Sequence, residues 1–364
     1  MKTKKYLRVA ALAAAGSLIL FGGCGTGGET SGSPSADVEP PVSAGLVAPG
    51  DLIAVSLPWV GTQNWAEANE LFAKSIEAAG FKAAVQAADN KVPNQQQQID
   101  SFVEQGAKVI IVGAVDGEQL GTVLENAKVA GAVILGYDRE IKNTQAVDGV
   151  VQYNAFGTGE LQAEALLEGL KANVSPDGPW VVELFAGGPA DPNAKLFFDG
   201  AMSVLQPLID AKTITITSGQ VEFTQVATAD WENSKAQSRM DSLLAGNYSA
   251  GKGPDGVLSP NDGIARAIIT ASENAGIKNL PIVDGLDAED ESVQWIRDGK
   301  QYATVAKPTQ PMIDKTIEIT QALELSKDLP AGTSVRSNGV KDVPLFELTP
   351  VIVTKANVNE MFPA

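Results

Sequence analysis

From Asp51 onward, short apolar runs and amphipathic stretches take turns along the chain, and the whole pattern occurs twice. "DLIAVSLP" precedes a helical pattern from Trp65 to Ala79, "FKAAVQAAD" precedes "PNQQQQIDSFVEQG", and "KVIIVGAVD" precedes "GEQLGTVLENAKVAG" before "AVILGYDRE". The apolar runs are almost continuous, as expected of strands whose sheet is covered by helices on both faces. Strand–helix alternation implies right-handed βαβ units and a parallel sheet. After "GVVQYNAFG" the alternation restarts with "WVVELFAGG", "TITITSGQ", "GPDGVLSPND", "LPIVDGLDAED" and "YATVAKP". A further helical stretch, "PMIDKTIEITQALELSK", and a strand-like tail, "VPLFELTPVIVT", close the chain. The expected fold is α/β, with two doubly wound parallel-sheet lobes. The 364 residues suffice for two domains of ordinary size. The halves share architecture and no short sequence repeat.

The segment before this pattern places the chain. "MKTKKYLRVAALAAAGSLILFGGC" opens with Lys2, Lys4, Lys5 and Arg8, and continues with an apolar run from Val9 to Phe21. That run has the length of a signal-peptide core and is short for a spanning helix. The only cysteine, Cys24, follows two glycines. Residues 1–24 resemble a bacterial lipoprotein signal, with Cys24 as the lipid attachment point. Phe21 stands where leucine is usual, and a plain secretory signal is the alternative. Residues 25–50 are rich in Gly, Ser and Pro, and are expected to act as a flexible tether. The expectation is an exported protein, held at the outer face of the cytoplasmic membrane or in the periplasm and touching the membrane only through its lipid.

Composition removes several chemistries. The chain has no histidine, which excludes Ser–His and Cys–His catalysis and histidine metal ligands. A single cysteine excludes an internal disulfide and a CxxC site. A net charge of −17 argues against a nucleic-acid partner. No phosphate-loop motif is present. No metal or cofactor is expected, and "DAEDE" at Asp287 to Glu291 reads as a helix start rather than a calcium loop.

Open parallel sheets bind ligands outside the carboxyl ends of their strands. In the first half those ends offer Trp59, Asn64 and Trp65, then Asp116, and the adjacent pair Asp138 and Arg139. The second half offers Asn193, Trp231, Asn261, Asp287 and Lys307. Asp and Asn are common there simply as helix caps, and Asp116, followed by Gly117, reads as a cap. An Asp–Arg pair is not a preferred cap. Tryptophans in such loops are unusual turn residues, although Trp59 or Trp65 could be ordinary core. Together the set suits a neutral polyhydroxylated ligand. Carboxylates accept from neighbouring hydroxyls, Arg and Lys donate, Asn does both, and pyranose C–H faces pack on indole rings.

The stretches "VSLP…NW", "PNQQQQID", "YDREIKNT", "ELFAGGPADPNAKLFFDGAMSVLQP", "SGQV", "SPNDG", "GLDAE" and "TPVIVTKANVNE" occur in the order found in the type I periplasmic sugar-binding proteins of ABC importers. The chain resembles that ribose, galactose and xylose group from about Asp51 to its C-terminus, and within it the multiple-sugar-binding branch. The resemblance implies two lobes joined by three crossovers, taken here as residues 51–153 plus 308–342 and 154–307 plus 343–364. A monosaccharide such as xylose, glucose, galactose or arabinose would be clamped between them. Asp138 and Arg139 would bind hydroxyls from the first lobe, and Asn193, Asn261 and Asp287 from the second. Trp231 would stack on the ring, Lys307 would lie at the second crossing and Asn154 near the first. It further implies a monomer that closes on its sugar, an ABC permease with a separate ATPase, and in some settings a chemosensor. One departure stands out. The branch usually has an arginine before the tryptophan of the first loop; here that position is Asn64, and Trp59 is an extra aromatic. One cation fewer disfavours an acidic sugar.

Three other classes fit the sequence less well. A nucleoside or other small polar solute is the alternative ligand. A carbohydrate-acting enzyme using Asp138, Asp287 or Lys307 lacks a nucleophile motif. A transcriptional repressor of the same architecture would need a helix-turn-helix headpiece where the signal and tether stand.

Overall fold

The structure is a computed structural model that describes residues 45–363. The signal segment 1–24 with Cys24, and tether residues 25–44, lie outside the described residues. The folded part starts earlier than Asp51. The amides of Leu46 and Val47 both donate to the Leu323 carbonyl, at 2.7 and 3.3 Å, and Val47 is buried against the first lobe.

The strands, in chain order, are β1 (Leu52–Leu57), β2 (Lys82–Ala87), β3 (Val109–Val112), β4 (Val133–Tyr137), β5 (Gly149–Tyr153), β6 (Trp180–Leu184), β7 (Ile214–Ile216), β8 (Gly256–Leu258), β9 (Ile282–Val283), β10 (Ala303–Ala306), β11 (Ser334–Ser337), β12 (Asp342–Leu348) and β13 (Val351–Thr354). The first lobe is a seven-stranded sheet in the order β11-β12-β5-β4-β3-β1-β2, parallel except for the edge strand β11. Helices Gln63–Ala78 and Thr309–Ala322 pack on one face and Val92–Glu104 and Gly121–Val129 on the other. That two-sided cover is why β3 and β4, "VIIV" and "VILGY", are buried at every position. The second lobe is built on β7-β6-β8-β9, all parallel. A single bridge from Leu286 to Val305 and the antiparallel pair β10–β13 extend it.

The chain passes between lobes three times: after β5, after β10 and after β12. The tail that reads as one strand is therefore two strands on different lobes, broken at Thr349 and Pro350. The first lobe was expected to end at residue 342, but β12 pairs in register with β5, so the last crossing lies beyond Leu348. Proline cannot donate to a ladder, which makes Pro350 a natural break. The crossings are bound to each other. The Tyr153 hydroxyl donates to the Pro308 carbonyl at 2.9 Å, and the Asn154 amide donates to the Leu348 carbonyl at 3.1 Å.

In the second lobe, helices Ala155–Asn173 and Pro192–Asp210 approach until their backbones touch. A Cβ on Gly159 would lie 1.9 Å from the Phe197 carbonyl oxygen, and one on Gly200 would lie 2.0 Å from that of Phe156. Gly246, in the helix Asn233–Asn247, has nothing within 4 Å. Gly159→Ala should therefore destabilise by about 1–3 kcal/mol through overpacking, whereas Gly246→Ala should stabilise by about 0.5–1 kcal/mol. Urea unfolding of the two variants checks the contrast.

Candidate functional site

Each sheet is wound in both directions from an inner strand, and the loops beyond the strand ends face each other across the gap between lobes. Strand β1 in the first sheet and β6 in the second have neighbours on both sides, the arrangement that opens a crevice at the carboxyl ends. A cavity lies there, between the two lobes. From the first lobe it is lined by Trp59, Thr62, Asn64, Trp65, Asp138 and Arg139. The second lobe contributes Asp191, Phe197, Trp231, Asn261, Leu286 and Asp287, and Lys307 reaches in from the second crossing.

Asp138 follows β4 directly and takes a left-handed backbone (φ 61°). Its amide donates to the Val151 carbonyl at 2.8 Å, which fixes the turn. Arg139 is 5 % exposed and lies over the Trp65 ring, 5.3 Å from the centroid, while its Nη1 donates to the Ala114 carbonyl at 2.9 Å. Its Nε is 2.9 Å from Asp191 Oδ2 across the gap, an ion pair whose N–H is not aligned for a hydrogen bond. Lys307 Nζ lies between two carboxylates, 3.3 Å from Asp138 Oδ1 and 3.4 Å from Asp287 Oδ1, and 5.3 Å from the Phe197 ring centre.

Five charged groups thus meet where water is scarce. Burial by itself would lower the lysine pKa, but the carboxylates of Asp138, Asp287 and Asp191 outweigh it and hold Lys307 above its usual value. Burial raises Asp191, against the pull of Arg139, and raises Asp287, against the pull of Lys307. Three carboxylates face two cations. Trp231 Nε1 and Asn193 Oδ1 are buried and hydrogen-bonded to nothing in the protein, and Asp287 Oδ1 has only the Lys307 ammonium beside it. Such groups are costly unless a ligand completes them.

The aromatic walls are set by glycines. A Cβ on Gly187 would lie 2.2 Å from the Trp231 ring, one on Gly188 2.9 Å from it, and one on Gly61 2.4 Å from Trp59. Trp231 itself takes a left-handed backbone (φ 56°) after Asp230 (φ 60°). Trp65 is 4 % exposed and packs edge-on to Tyr137, so it is core and cavity wall at once.

Of the residues singled out from sequence, Trp59, Asn64, Trp65, Asp138, Arg139, Trp231, Asn261, Asp287 and Lys307 share the cavity wall. Asn261 also caps the helix Asp262–Asn274 through its Oδ1, 2.9 Å from the Ile264 amide, which leaves its Nδ2 for the cavity. Asn193 is buried beside this set: its Nδ2 donates to the Asp138 carbonyl across the gap at 2.7 Å, and its Oδ1 has no hydrogen-bond partner in the protein. Asn154 is exposed at the first crossing, and its side chain accepts the Gly157 amide at 2.9 Å as a helix cap. Asp116 takes up the Glu118 amide and the Gln119 side chain, in keeping with a turn role. Sequence reading missed Asp191, Thr62, Phe197 and Leu286. For Asp191 a signal existed: Asp followed by Pro192 is a helix start, and it is buried against the facing lobe. The "DAEDE" segment enters the helix Asp290–Asp298, and no cluster of three metal-ligating side chains occurs among the described residues.

Comparisons with known proteins give the family and the fold. A model of the periplasmic binding protein domain matches residues 53–328. The multiple sugar-binding periplasmic receptor ChvE of Rhizobium radiobacter is 37% identical over 315 residues, covering 85% of this chain and 88% of that protein. The D-xylose-binding periplasmic protein of Escherichia coli strain K12 is 30% identical, over 85% of this chain and 88% of its own. Among solved structures, an ABC transporter solute binding protein from Clostridium phytofermentans with bound β-D-glucose superposes with a TM-score of 0.81 at 33% identity, covering 85% of this chain and 96% of the other. The described residues contain no helix long and apolar enough to cross a membrane.

Beneath the second-lobe wall, Asp262 is fully buried. It accepts the Glu289 amide at 2.9 Å and the Gln301 side chain at 2.8 Å. Burial outweighs these donors and pushes its carboxyl up to about 8. An unfolded aspartate titrates near about 3.9, so between those values the folded state holds more protons than the unfolded one. The contribution of Asp262 to stability is full below the lower value and is lost as pH rises towards the upper one. Asp262→Asn should lose less stability than the parent between pH 5 and pH 8, as measured by urea unfolding at both.

Proposed function

We infer the function from one premise: the chain belongs to the periplasmic binding protein family. It captures a monosaccharide in the cavity between its lobes, without altering it, and delivers it to an ABC importer. The observation that carries this reading is the cavity wall itself. Its two cations and three carboxylates suit the mixed donor and acceptor demand of vicinal hydroxyls, and Trp59, Phe197 and Trp231 offer flat apolar faces to a ring. The unpartnered Trp231 Nε1 is a donor awaiting an acceptor, and Asp287 Oδ1, beside Lys307 alone, has room to accept. The similarity to receptors for several sugars and for D-xylose, and to a glucose-bound solute binding protein, supports the same ligand class.

In this reading the lobes rock about the three bound crossings. The sugar meets both walls only when they come together, so it stabilises the closed form by its difference in affinity between the two forms. The closed shape is what a membrane permease with a separate ATPase would recognise, and a chemosensor could use the same surface. The protein acts as a monomer outside the cytoplasmic membrane, tethered through lipidated Cys24. Metabolic labelling with a fatty-acid analogue, lost in Cys24→Ala, tests the anchor.

Calorimetry against xylose, glucose, galactose, arabinose, ribose and nucleosides tests the ligand class. At least one aldose should bind stoichiometrically and with no product formed; no response to any aldose at millimolar concentration refutes the reading. Asp138→Ala should abolish that binding with the fold intact, because it removes an acceptor and leaves Lys307 with one carboxylate fewer. Trp231→Ala should weaken it by about 1 kcal/mol, the scale of one aromatic contact. Both cations are already paired, so glucuronate should bind at least about tenfold more weakly than its neutral isostere glucuronamide. Comparable affinities would exclude charge selection.

A further inference from the structure

The glutamine run in "PNQQQQID" lies outside the cavity wall, yet its side chains converge on the strand ends that carry the wall. In the helix Val92–Glu104, Asn94 Nδ2 donates to the Ala88 carbonyl at 3.2 Å, Gln98 Nε2 to the Ala87 carbonyl at 2.9 Å and Gln96 Nε2 to the Gln119 carbonyl at 3.0 Å. Gln95 reaches furthest in. It is fully buried, its Nε2 donates to the Gly113 carbonyl at 2.9 Å and to Ser56 Oγ at 3.2 Å, and its Oε1 accepts the Val115 amide at 2.7 Å. Strand β3 has run out of ladder by then, since its pairing with β1 and β4 ends at Val112. One side-chain amide therefore does beyond the strand what a neighbouring strand does within it. The residue it brackets is Ala114, whose carbonyl accepts Arg139 Nη1 at 2.9 Å. Gln95 and Arg139 thus hold opposite edges of one peptide unit. In a trans peptide the Val115 N–H and the Ala114 C=O point in opposite directions, so fixing one aims the other. Gly113 also backs the Trp65 ring, where a Cβ would lie 3.0 Å away, and Arg139 lies over that ring.

We propose that Gln95 is a positioning residue of the cavity: its amide fixes the Ala114–Val115 peptide, whose carbonyl sets where the Arg139 guanidinium points. This rests on the reading of the cavity as a sugar site. A guanidinium is planar and its N–H groups keep fixed angles, so one anchored Nη decides where the others aim. Trp65 sets the surface on which the group lies, and the Ala114 carbonyl sets its direction there. Without Gln95 the loop after β3 loses both bonds that orient this peptide, and the guanidinium samples several poses in place of one. Such a loss falls on the hydroxyl that Arg139 meets and spares the rest of the sugar. A glutamine that only satisfied buried backbone would instead change stability, and would affect all sugars alike.

The test is Gln95→Met, which keeps the side chain's bulk and removes its bonds to Gly113 and Val115. Calorimetry compares the parent, Gln95→Met and Arg139→Lys on glucose, xylose and arabinose, and on analogues of each lacking one hydroxyl. Arg139→Lys identifies the hydroxyl that Arg139 meets, as the one whose absence from the sugar removes the effect of that substitution. Gln95→Met should lose about tenfold in affinity for sugars that carry this hydroxyl, and next to nothing for analogues that lack it. Gln162, buried in the second lobe, donates to the Ser259 carbonyl at 2.7 Å, so Gln162→Met removes a similar amide from the other lobe and controls for lost stability. Its losses should not follow the Arg139 pattern. An unchanged affinity in Gln95→Met, a loss equal for all sugars, or the same pattern from Gln162→Met overturns the proposal. So does an Arg139→Lys loss that no missing hydroxyl removes, because the guanidinium would then meet none. If Gln95→Met does not fold, Gln95→Asn keeps an amide one methylene too short to reach both Gly113 and Val115, and is held to the same criterion. Parent protein that binds no sugar at all is a different result: it overturns the functional reading itself, and the positioning role with it.

Discussion

A buried charge must be paired, and this molecule meets that demand across a gap. Lys307, Asp191, Asp287 and the adjacent Asp138 and Arg139 come from four separate strand ends or loops, and none of the pairs they form is local in sequence. The sheets have to twist and stop where they do for the cluster to exist. A lysine with a 7 % exposed side chain and no carboxylates would lose its proton or open the structure; flanked by two, it holds its charge more firmly than in water. The count of three acids to two bases leaves the wall short of donors, and hydroxyl groups can supply them.

The backbone bends to present these groups. Asp138, Asp230, Trp231, Asp287 and Ala288 all take positive φ, a region that costs ordinary residues about 1 kcal/mol or more and that clusters at functional sites. Aspartate tolerates the left-handed region better than most, but tryptophan and alanine do not. The surrounding packing over-determines them. Trp231 lies on Gly187 and Gly188, where any side chain would displace it, and Asp287 is held by its amide bond to the Val305 carbonyl at 2.9 Å.

The fold was legible because strand pattern and helix pattern are both local signals. "VIIV" and "VILGY" can only be strands buried on both faces, and nine of the candidate site residues lie where strands end. What escaped is what depends on the partner lobe. Asn154 and Asn261 both read as polar residues at a strand end. One faces solvent as a cap and the other caps while facing the cavity, and only the placement of the crossings separates them. Asn193 was legible as a site candidate, but not its hydrogen bond to the Asp138 carbonyl of the facing lobe. Asp191 escaped notice, because its partner lies 52 positions upstream on another sheet. The tail looked like one strand because apolar spacing carries no record of which sheet receives it; Pro350 was the only mark of the break.

The insertion of β6 to β10 between β5 and β12 has a consequence for biogenesis. The second lobe is nearly continuous in sequence, so most of its sheet can assemble as soon as it emerges. The first cannot be finished until strand β12 arrives, after residue 341, and docks beside β5 with its edge partner β11. For much of synthesis, therefore, β5 has an unpaired edge, and the early-made half of the molecule stays incomplete. A sheet whose last strand comes from so far along the chain is slow to close, and until it does its open edge is exposed to pairing with other chains.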